Sequence, residues 1–356
     1  MNETMREFLT RLLDAYGPSG YEGAPARVWR EEARSFADEV WLDVQGNSFA
    51  AAGPEDAPTI MLAGHIDEIG LMVHHIDEKG YLFVQAVGGW DPQVLVGQRV
   101  SVLGGEGVVP GVVGRKAIHL IDRDERDKAV KLKDLWIDIG ARDRDEALAR
   151  VQVGDVAVLA GETVELANDR FAARSIDDRI GTLVALEALR RVAGESLNVR
   201  VVAVATTQEE IGYRSGGGAA TSSFGVAPDA AIAIDVTHAT DHPSVDRKEH
   251  GDVDLGGGPV LSRGAVVNAV LYRLLTEAAG RAGIEIQVHA APSGTGTDAD
   301  SIYTARTGVA TAVVSVPNRY MHSPSQMVAA SDVEGASELI ATLLLGLSGE
   351  ESFLPE

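Results

Sequence analysis

The sequence predicts an α/β protein with a mixed, mostly parallel sheet flanked by helices and with an inserted all-β domain. Helical and strand patterns alternate towards both ends of the 356-residue chain, as they do in α/β domains. Between about residues 70 and 166 the pattern changes to short strands rich in Val and Gly. No internal repeat or low-complexity linker interrupts the chain. We therefore expect a discontinuous α/β domain, residues 1–69 and 167–356, with an inserted β domain at residues 70–166.

The first part of the α/β domain begins with an amphipathic helix. Residues 4–15 have helical periodicity and are followed by the helix-breaking sequence YGPSG. The run TIMLAG at 59–64 predicts a short buried strand. The insert then contains short strands such as YLFVQAVGG and DVAVLAG, together with the charged segment IDRDERDKAVKLKDLW.

The second part of the α/β domain resumes the alternation of helices and strands. Apolar residues recur at helical spacing in three segments, which we predict to be helices: 181–194, 270–283 and 333–347. Three apolar runs of strand length lie between or before these helices, at 199–207, 229–236 and 308–316. These strands should join the first one in a single sheet.

Composition limits the functions that the chain can have. Apolar residues make up 45% of it, which is enough for a substantial core, and the net charge of −22 argues against nucleic acid and anionic membranes as partners. Because there is no cysteine, a metal site must use imidazole and carboxylate ligands. No apolar run is long enough to span a membrane and the first residues lack a signal-peptide pattern, so we expect a cytoplasmic protein.

Each predicted strand of the α/β domain is followed by side chains that can bind a metal. Because the carboxyl ends of parallel strands meet at one edge of a sheet, we expect these side chains to converge there. Asp177 opens the helix that follows the insert and belongs with them. The set that follows the strands comprises His65 and Asp67, Glu209 and Glu210, Asp235, and His322.

Taken singly, several of these residues have purely structural explanations. Asp177 and Asp178 stand at a helix start, where a carboxylate commonly caps free backbone N–H groups. His322 is as consistent with a loop histidine as with a metal ligand. Asp235, by contrast, follows an apolar run and would be costly to bury without a cation or a hydrogen-bond donor. The combined pattern therefore favours a metal site.

Six ordered segments resemble the M42 family of metallo-aminopeptidases, which includes glutamyl aminopeptidases and the TET peptidases. These segments are GHIDEIGLMV, SIDDRIG, TTQEEIG, IDVTHA, GTDAD and VPNRYMHSP. The resemblance runs along nearly the whole chain and implies an α/β domain of the two-metal exopeptidase type. It also implies that the inserted β domain serves dimerisation and the assembly of a hollow particle. Gln326 departs from the pattern, because many relatives have Glu there.

The resemblance implies two divalent ions per chain, with zinc as the expected metal and cobalt as the alternative. The implied ligands are His65 and Asp235 for one ion, Glu210 and His322 for the other, and Asp177 as the bridge between them. Two close ions need a shared carboxylate, and imidazole with carboxylate suits zinc or cobalt. The ligand chemistry therefore agrees with the resemblance.

Two further acidic residues receive catalytic roles. Glu209 is left without a metal ion, so it is the expected general base that takes a proton from water and passes it to the departing amine. Asp67 would accept the free N–H of His65 and so fix its orientation. We also expect the glycines in LAGHIDEIG, residues 62–70, to allow a tight backbone turn at the strand end.

The predicted function is the removal of N-terminal residues from short peptides, and it rests on the resemblance. The alternatives are another two-metal amidohydrolase, such as a deacylase or carboxypeptidase, and an inactive structural or carbohydrate-binding protein. The preferred N-terminal residue is not predicted. For assembly, the resemblance implies a homo-oligomer in which dimers form through the insert and gather into a dodecamer. Pairing would also cover strand edges that we expect the insert to expose.

Overall fold

The structure is a computed structural model that describes residues 1–212 and 216–354, except for the side chain of Glu125. The chain forms two compact units. The first comprises Met1–Asp67, Thr163–Met321 and the residues from Ser325 onward. The second comprises Glu68–Glu162 and the short segment His322–Pro324.

The strands of both units, in chain order, are β1 (Glu39–Leu42), β2 (Ser48–Ala52), β3 (Thr59–His65), β4 (Gly70–Ile76), β5 (Leu82–Val87), β6 (Arg99–Gly104), β7 (Gly107–Arg115), β8 (Leu135–Asp138), β9 (Val156–Leu159), β10 (Val164–Leu166), β11 (Arg170–Ala173), β12 (Arg200–Thr206), β13 (Ala230–His238), β14 (Val260–Gly264), β15 (Gln287–Ala291), β16 (Ala310–Asn318) and β17 (Gln326–Ala329).

The helices are α1 (Glu3–Asp14), α2 (Gly23–Ala33), α3 (Pro92–Leu95), α4 (Arg144–Leu148), α5 (Ile176–Val192), α6 (Gly217–Val226), α7 (Arg247–His250), α8 (Ala269–Ala282), α9 (Ala299–Ile302) and α10 (Ala330–Gly346). Short 3₁₀ turns occur at Ile118–Leu120, Arg123–Glu125 and Leu132–Asp134.

An eight-stranded sheet forms the centre of the first unit, in the order β1-β2-β12-β3-β13-β16-β14-β15. The four strands β12, β3, β13 and β16 run parallel to their neighbours within this group. The β1–β2 hairpin joins β12 in antiparallel orientation at one side, and β14 joins β16 in the same way at the other. A separate antiparallel sheet contains β10, β11 and β17.

Helices cover both faces of the large sheet, as the alternation along β3 shows. Ile60 and Leu62 pack in a core cluster with α1, α2, α5, α8 and α10. Met61 and Ala63 point to the opposite face and pack in a cluster with α6 and α9. Because both faces are covered, the central strands are apolar throughout rather than alternating with polar residues. The predicted mixed, mostly parallel sheet with flanking helices is confirmed.

The second unit is built on a closed antiparallel barrel, in the order β4-β5-β8-β7-β6-β9, with β9 pairing back to β4. Its interior is filled by apolar side chains such as Leu71, Val102 and Ile137. Closure pairs both edges of this sheet, so the exposed strand edges that we expected in the insert are absent from the barrel. Exposed apolar side chains are found there instead, including Ile118 at 48% and Leu120 at 67%.

The predicted helices and strands of the first unit are all present, with ends shifted by a few residues. The helix predicted at 181–194 begins earlier, since α5 starts at Ile176. We did not predict the helix α2 or the short strands β1, β2, β14 and β15. Among the described residues, no helix is both long and apolar enough to cross a membrane.

Candidate metal centre

His65 is the last residue of β3, and only 2% of its surface is exposed. Its Nε2 atom lies 3.1 Å from Oδ1 of Asp177, and its Nδ1 atom lies 3.4 Å from Oδ1 of Asp67. The parallel register pairs His65 with Thr206, the last residue of β12. The two strand ends therefore bring His65 next to the segment that continues into Glu209, whose Oε2 lies 3.9 Å from Nε2 of His65.

Gly64 allows the sheet and α5 to approach closely. A Cβ atom at this position would lie 2.6 Å from the carbonyl carbon of Gly181 and 3.1 Å from Oδ2 of Asp178. Gly64 lies within β3 and does not have a positive φ. The expectation that this glycine serves a tight turn is wrong, since its function is to admit α5 against the end of the strand.

The two aspartates at the start of α5 make different contacts. Asp178 accepts the backbone N–H groups of Gly181 at 3.0 Å and of His65 at 3.2 Å. It thus has the capping role that is common at helix starts, and it also fixes the end of β3. Asp177 directs its carboxylate to His65, and its backbone N–H donates to Oε1 of Gln326 at 2.8 Å.

A buried group of possible metal ligands forms around His65. Ligand atoms of His65, Asp177 and Asp235 all lie within 4.8 Å of one another, and the three side chains are buried. A carboxylate oxygen of Glu210 lies within 4.8 Å of a ligand atom of Asp177. Asp177 is therefore adjacent to ligands expected for both ions.

The remaining predicted ligand, His322, lies in the segment that groups with the second unit. Its φ of +55° is unusual for a residue with a side chain. Within the same unit, a Cβ atom at Gly89 would lie 3.3 Å from Nδ1 of His322, so the glycine leaves room for the ring. The assignment of His322 as a ligand stays a prediction.

Asp67 connects the ligand His65 to the segment that carries the two glutamates. Besides its contact with His65, its carboxylate accepts the hydroxyl of Ser19 at 2.6 Å. It also accepts the backbone N–H groups of Glu209 at 3.1 Å and Glu210 at 3.2 Å. Although burial alone would raise the pKa of Asp67, the contacts with His65, Ser19 and the amide of Glu209 lower it.

Burial and mutual repulsion destabilise the ionised form of the carboxyl groups in this region. Burial, with added repulsion from Asp235, raises the pKa of Asp178 well above its usual range. Burial also raises the pKa of Asp235, against the attraction of His65. The pKa of Glu209 rises to about 9 because of burial and the nearby acidic groups. Bound divalent cations would neutralise this repulsion, so the residues present fit a metal site.

Two buried residues next to these groups were not predicted to belong to the site. Asp298 is 6% exposed, and its carboxylate contacts the hydroxyl of Thr206. Burial raises its pKa to about 6. Gln326 is 1% exposed and links the N–H of Asp177 to the carbonyl of Arg174, to which its amide donates at 3.1 Å. The segment GTDAD and the departure at Gln326 were visible in the sequence, but neither indicated these contacts.

Comparisons with known proteins agree with this geometry. A family model described as M42 glutamyl aminopeptidase matches residues 46–339. A lysyl aminopeptidase of Pyrococcus furiosus is 37% identical over 344 residues, which cover 95% of this chain and 96% of that protein.

Solved structures of similar proteins share the fold along the whole chain. A TET aminopeptidase from a marine-sediment archaeon of the Thaumarchaeota has a TM-score of 0.91 and 35% identity, with 97% of each chain covered. A TET1 peptidase of Pyrococcus horikoshii, which can assemble into a tetrahedron or a large octahedral shell, has a TM-score of 0.85 and 32% identity over 96% of this chain and all of that one. The chain is therefore a hydrolase that belongs to the M42 family of aminopeptidases.

Proposed function

We propose that this protein is a dinuclear metal-dependent aminopeptidase that removes N-terminal residues from short peptides. The observation that carries the proposal is the buried group of His65, Asp177 and Asp235, whose ligand atoms lie within 4.8 Å of one another. Buried carboxylates in such proximity are costly unless cations accompany them. Their donor atoms are those that zinc and cobalt accept, and zinc is the metal that we propose.

The ligands are assigned as follows: His65 and Asp235 to one ion, Glu210 and His322 to the other, with Asp177 between them. The proximity of Asp177 to His65, Asp235 and Glu210 supports its bridging position. When bound, two divalent ions would supply Lewis-acid chemistry, which lowers the pKa of water and stabilises negative charge on a carbonyl oxygen. Asp67 orients His65 through the contact with Nδ1.

Glu209 is the proposed general base. Its Oε2 atom lies 3.9 Å from Nε2 of His65, so the carboxylate is close to the ligands without being assigned to an ion. Glu209 takes a proton from the attacking water and delivers it to the departing amine. The backbone N–H groups of Glu209 and Glu210 donate to the carboxylate of Asp67, and these two hydrogen bonds keep the base and a ligand in fixed relation to His65.

A deacylase or carboxypeptidase could use a similar two-metal site. The proposal of an aminopeptidase rests on the family, since its model and two of the three proteins compared above are named aminopeptidases. We further propose that the protein forms homo-oligomers through the second unit, where Val112, Ile118 and Leu120 are exposed apolar side chains. Dimers gathered into a dodecamer remain the expected assembly, and the cytoplasm remains the expected location.

A panel of chromogenic aminoacyl anilides tests the proposed activity and its metal dependence. The protein is stripped with a chelator and assayed after addition of Zn²⁺, Co²⁺ or Mn²⁺ in turn. We expect no turnover of any substrate by the stripped protein and restored turnover of at least one substrate with zinc or cobalt. Full activity that persists after complete removal of metal would refute the proposal.

A further inference from the structure

The segment that carries the proposed base is held by side chains through four consecutive backbone amides. The N–H of Thr207 donates to Oδ1 of Asn47 at 3.0 Å, and the N–H of Gln208 donates to Oε1 of Glu22 at 3.2 Å. The next two N–H groups, those of Glu209 and Glu210, donate to Asp67. Side-chain oxygens thus receive the hydrogen bonds of the whole segment after β12 ends.

Glu22 comes from the loop between α1 and α2, far from this segment in the sequence. Its side chain is buried, with 7% exposed, and it forms no capping bond at the start of α2. Instead, Oε1 accepts the N–H of Gly20 at 2.7 Å as well as that of Gln208. The carboxylate therefore ties its own loop to the residue that precedes Glu209.

The backbone conformation of Gln208 makes the hydrogen bond from its N–H group to Glu22 important. Its φ is +61°, in the left-handed region that residues other than glycine seldom adopt. The following residue is Glu209, so the backbone direction at Gln208 determines where the base side chain begins. The same loop adds a second contact, since the Ser19 hydroxyl donates to Asp67.

We propose that Glu22 is a positioning residue for the general base: by accepting the N–H of Gln208 it holds the left-handed backbone that aims the carboxylate of Glu209. This inference rests on the proposed role of Glu209. The positioning role requires a side chain at position 22 that is long enough to place a hydrogen-bond acceptor at the N–H of Gln208. It does not require a negative charge. The pKa of Glu22, raised by burial to about 7, agrees with a site that accommodates a neutral group.

Three variants separate the acceptor from the charge and from general packing. Glu22→Gln keeps the acceptor oxygen, Glu22→Ala removes it, and Glu22→Asp withdraws it by one methylene group. Asp332→Ala is the matched control, because Asp332 is also buried and accepts two backbone N–H groups, those of Gly256 and Gly258. The readouts are kcat, KM, bound metal and hydrogen exchange of the amides of residues 207–210, measured by mass spectrometry on peptic peptides.

We expect kcat to fall by ~10- to 100-fold in Glu22→Ala and Glu22→Asp, because a small misplacement of a catalytic group costs about this much. KM and metal content should stay near the wild-type values, and the amides of 207–210 should exchange faster in both variants. Glu22→Gln should keep kcat within about threefold of wild type, since its amide oxygen still accepts the hydrogen bond. Asp332→Ala should lose thermal stability but keep its kcat and the slow exchange of these amides.

The inference is overturned if Glu22→Asp and Glu22→Ala keep wild-type kcat and amide exchange. It is also overturned if Glu22→Gln is as slow as Glu22→Ala, because the acceptor is then not what matters. Should Glu22→Ala not fold, Glu22→Asp and Glu22→Gln decide by the same criteria. Glu209→Gln is assayed in parallel: wild-type turnover in that variant refutes the proposed base itself, whereas its inactivity beside unaffected Glu22 variants refutes only the positioning role.

Discussion

The Nε2 atom of His65 lies 3.1 Å from Oδ1 of Asp177, although the two residues are 112 positions apart in the sequence. The contact exists because the end of β3 meets the start of α5, which Gly64 permits by leaving space for Gly181. Both side chains are buried, and Asp235 and Glu210 approach Asp177 as well. Asp177 is therefore the residue on which the two proposed ion positions depend together.

Asp177→Ala is expected to lose both ions. Each ion loses a ligand, and the carboxylate that offsets the repulsion between two cations is removed as well. The test is the metal content per chain after dialysis against metal-free buffer, measured by inductively coupled plasma mass spectrometry. Asp178→Ala is the comparison, and it should be less stable but retain metal, since Asp178 bonds to backbone N–H groups. If Asp177→Ala retained two tightly held ions, a residue other than Asp177 would have to bridge them.

Glu209→Gln and Glu210→Gln should have different effects although the residues are adjacent. The amide at 209 keeps the shape of the side chain but cannot accept a proton, so turnover should fall by roughly 10² to 10⁴ with metal content unchanged. At 210 the change replaces a charged ligand with a neutral one, so metal affinity should fall. Steady-state turnover and metal content of both variants check this. Near-normal turnover in Glu209→Gln would show that Glu209 is not the general base.

Gln326→Met should weaken metal binding by about 10- to 100-fold, as is typical when a hydrogen-bond partner of a ligand is removed. The amide oxygen of Gln326 accepts the N–H of Asp177, and a thioether cannot replace it. Gln287→Met is a suitable control, because Gln287 links the backbones of Asp254 and Gly258. Competition titration with a zinc indicator measures both affinities. Equal affinities in the two variants would count against the role of Gln326.

The metal-free protein should lose stability as the pH rises. The pKa of Glu209 is about 9 in the folded protein, whereas that of an unperturbed Glu side chain, as in the unfolded chain, is 4.5. The unfolded chain therefore loses this proton first, so the contribution to stability is complete below about pH 4.5 and is lost as the pH rises through about 9. Thermal unfolding of chelator-treated protein across this range is the measurement. The loss should be smaller in Glu209→Gln, and an identical pH dependence in the two proteins would contradict the assignment.

Leu120→Glu should reduce the size of the assembly. Leu120 and Ile118 are exposed apolar side chains of the second unit, and a carboxylate at such a position would have to be desolvated in an interface. Light scattering at micromolar concentration compares its mass with that of the wild type. Leu42→Glu, at an exposed apolar position of the first unit, should leave the mass unchanged. A wild-type protein that is already monomeric would exclude the proposed assembly.

The α/β fold could be predicted because its strands are continuous apolar runs and because each ends near a polar residue. His65 is the last residue of β3 and Asp67 lies two residues further on, so their predicted contact needs only the local His-x-Asp spacing. The convergence of His65 with Asp235 follows from the parallel order of β3 and β13. The order and direction of the strands are in turn predicted by the hydrophobic pattern of the sequence.

Other features depend on contacts that the sequence pattern does not encode. Glu22 and Gln326 reach the site from distant segments, and each acts by accepting a backbone N–H rather than through a recognisable motif. Asp298 lies next to the site because of loop packing against Thr206. The sequence favours a turn at Gly64 because glycine is common in turns, whereas the contact of Gly64 with α5 depends on the tertiary structure.

The most direct test of the account is a titration of metal-free protein with Zn²⁺, in which peptide hydrolysis is measured at each addition. Two tripeptides are compared that differ only in whether the α-amine is free or acetylated. A dinuclear aminopeptidase should reach full activity on the free peptide at about two ions per chain and should release almost nothing from the acetylated one. Full activity at a single ion per chain, or equal hydrolysis of both peptides, would contradict it.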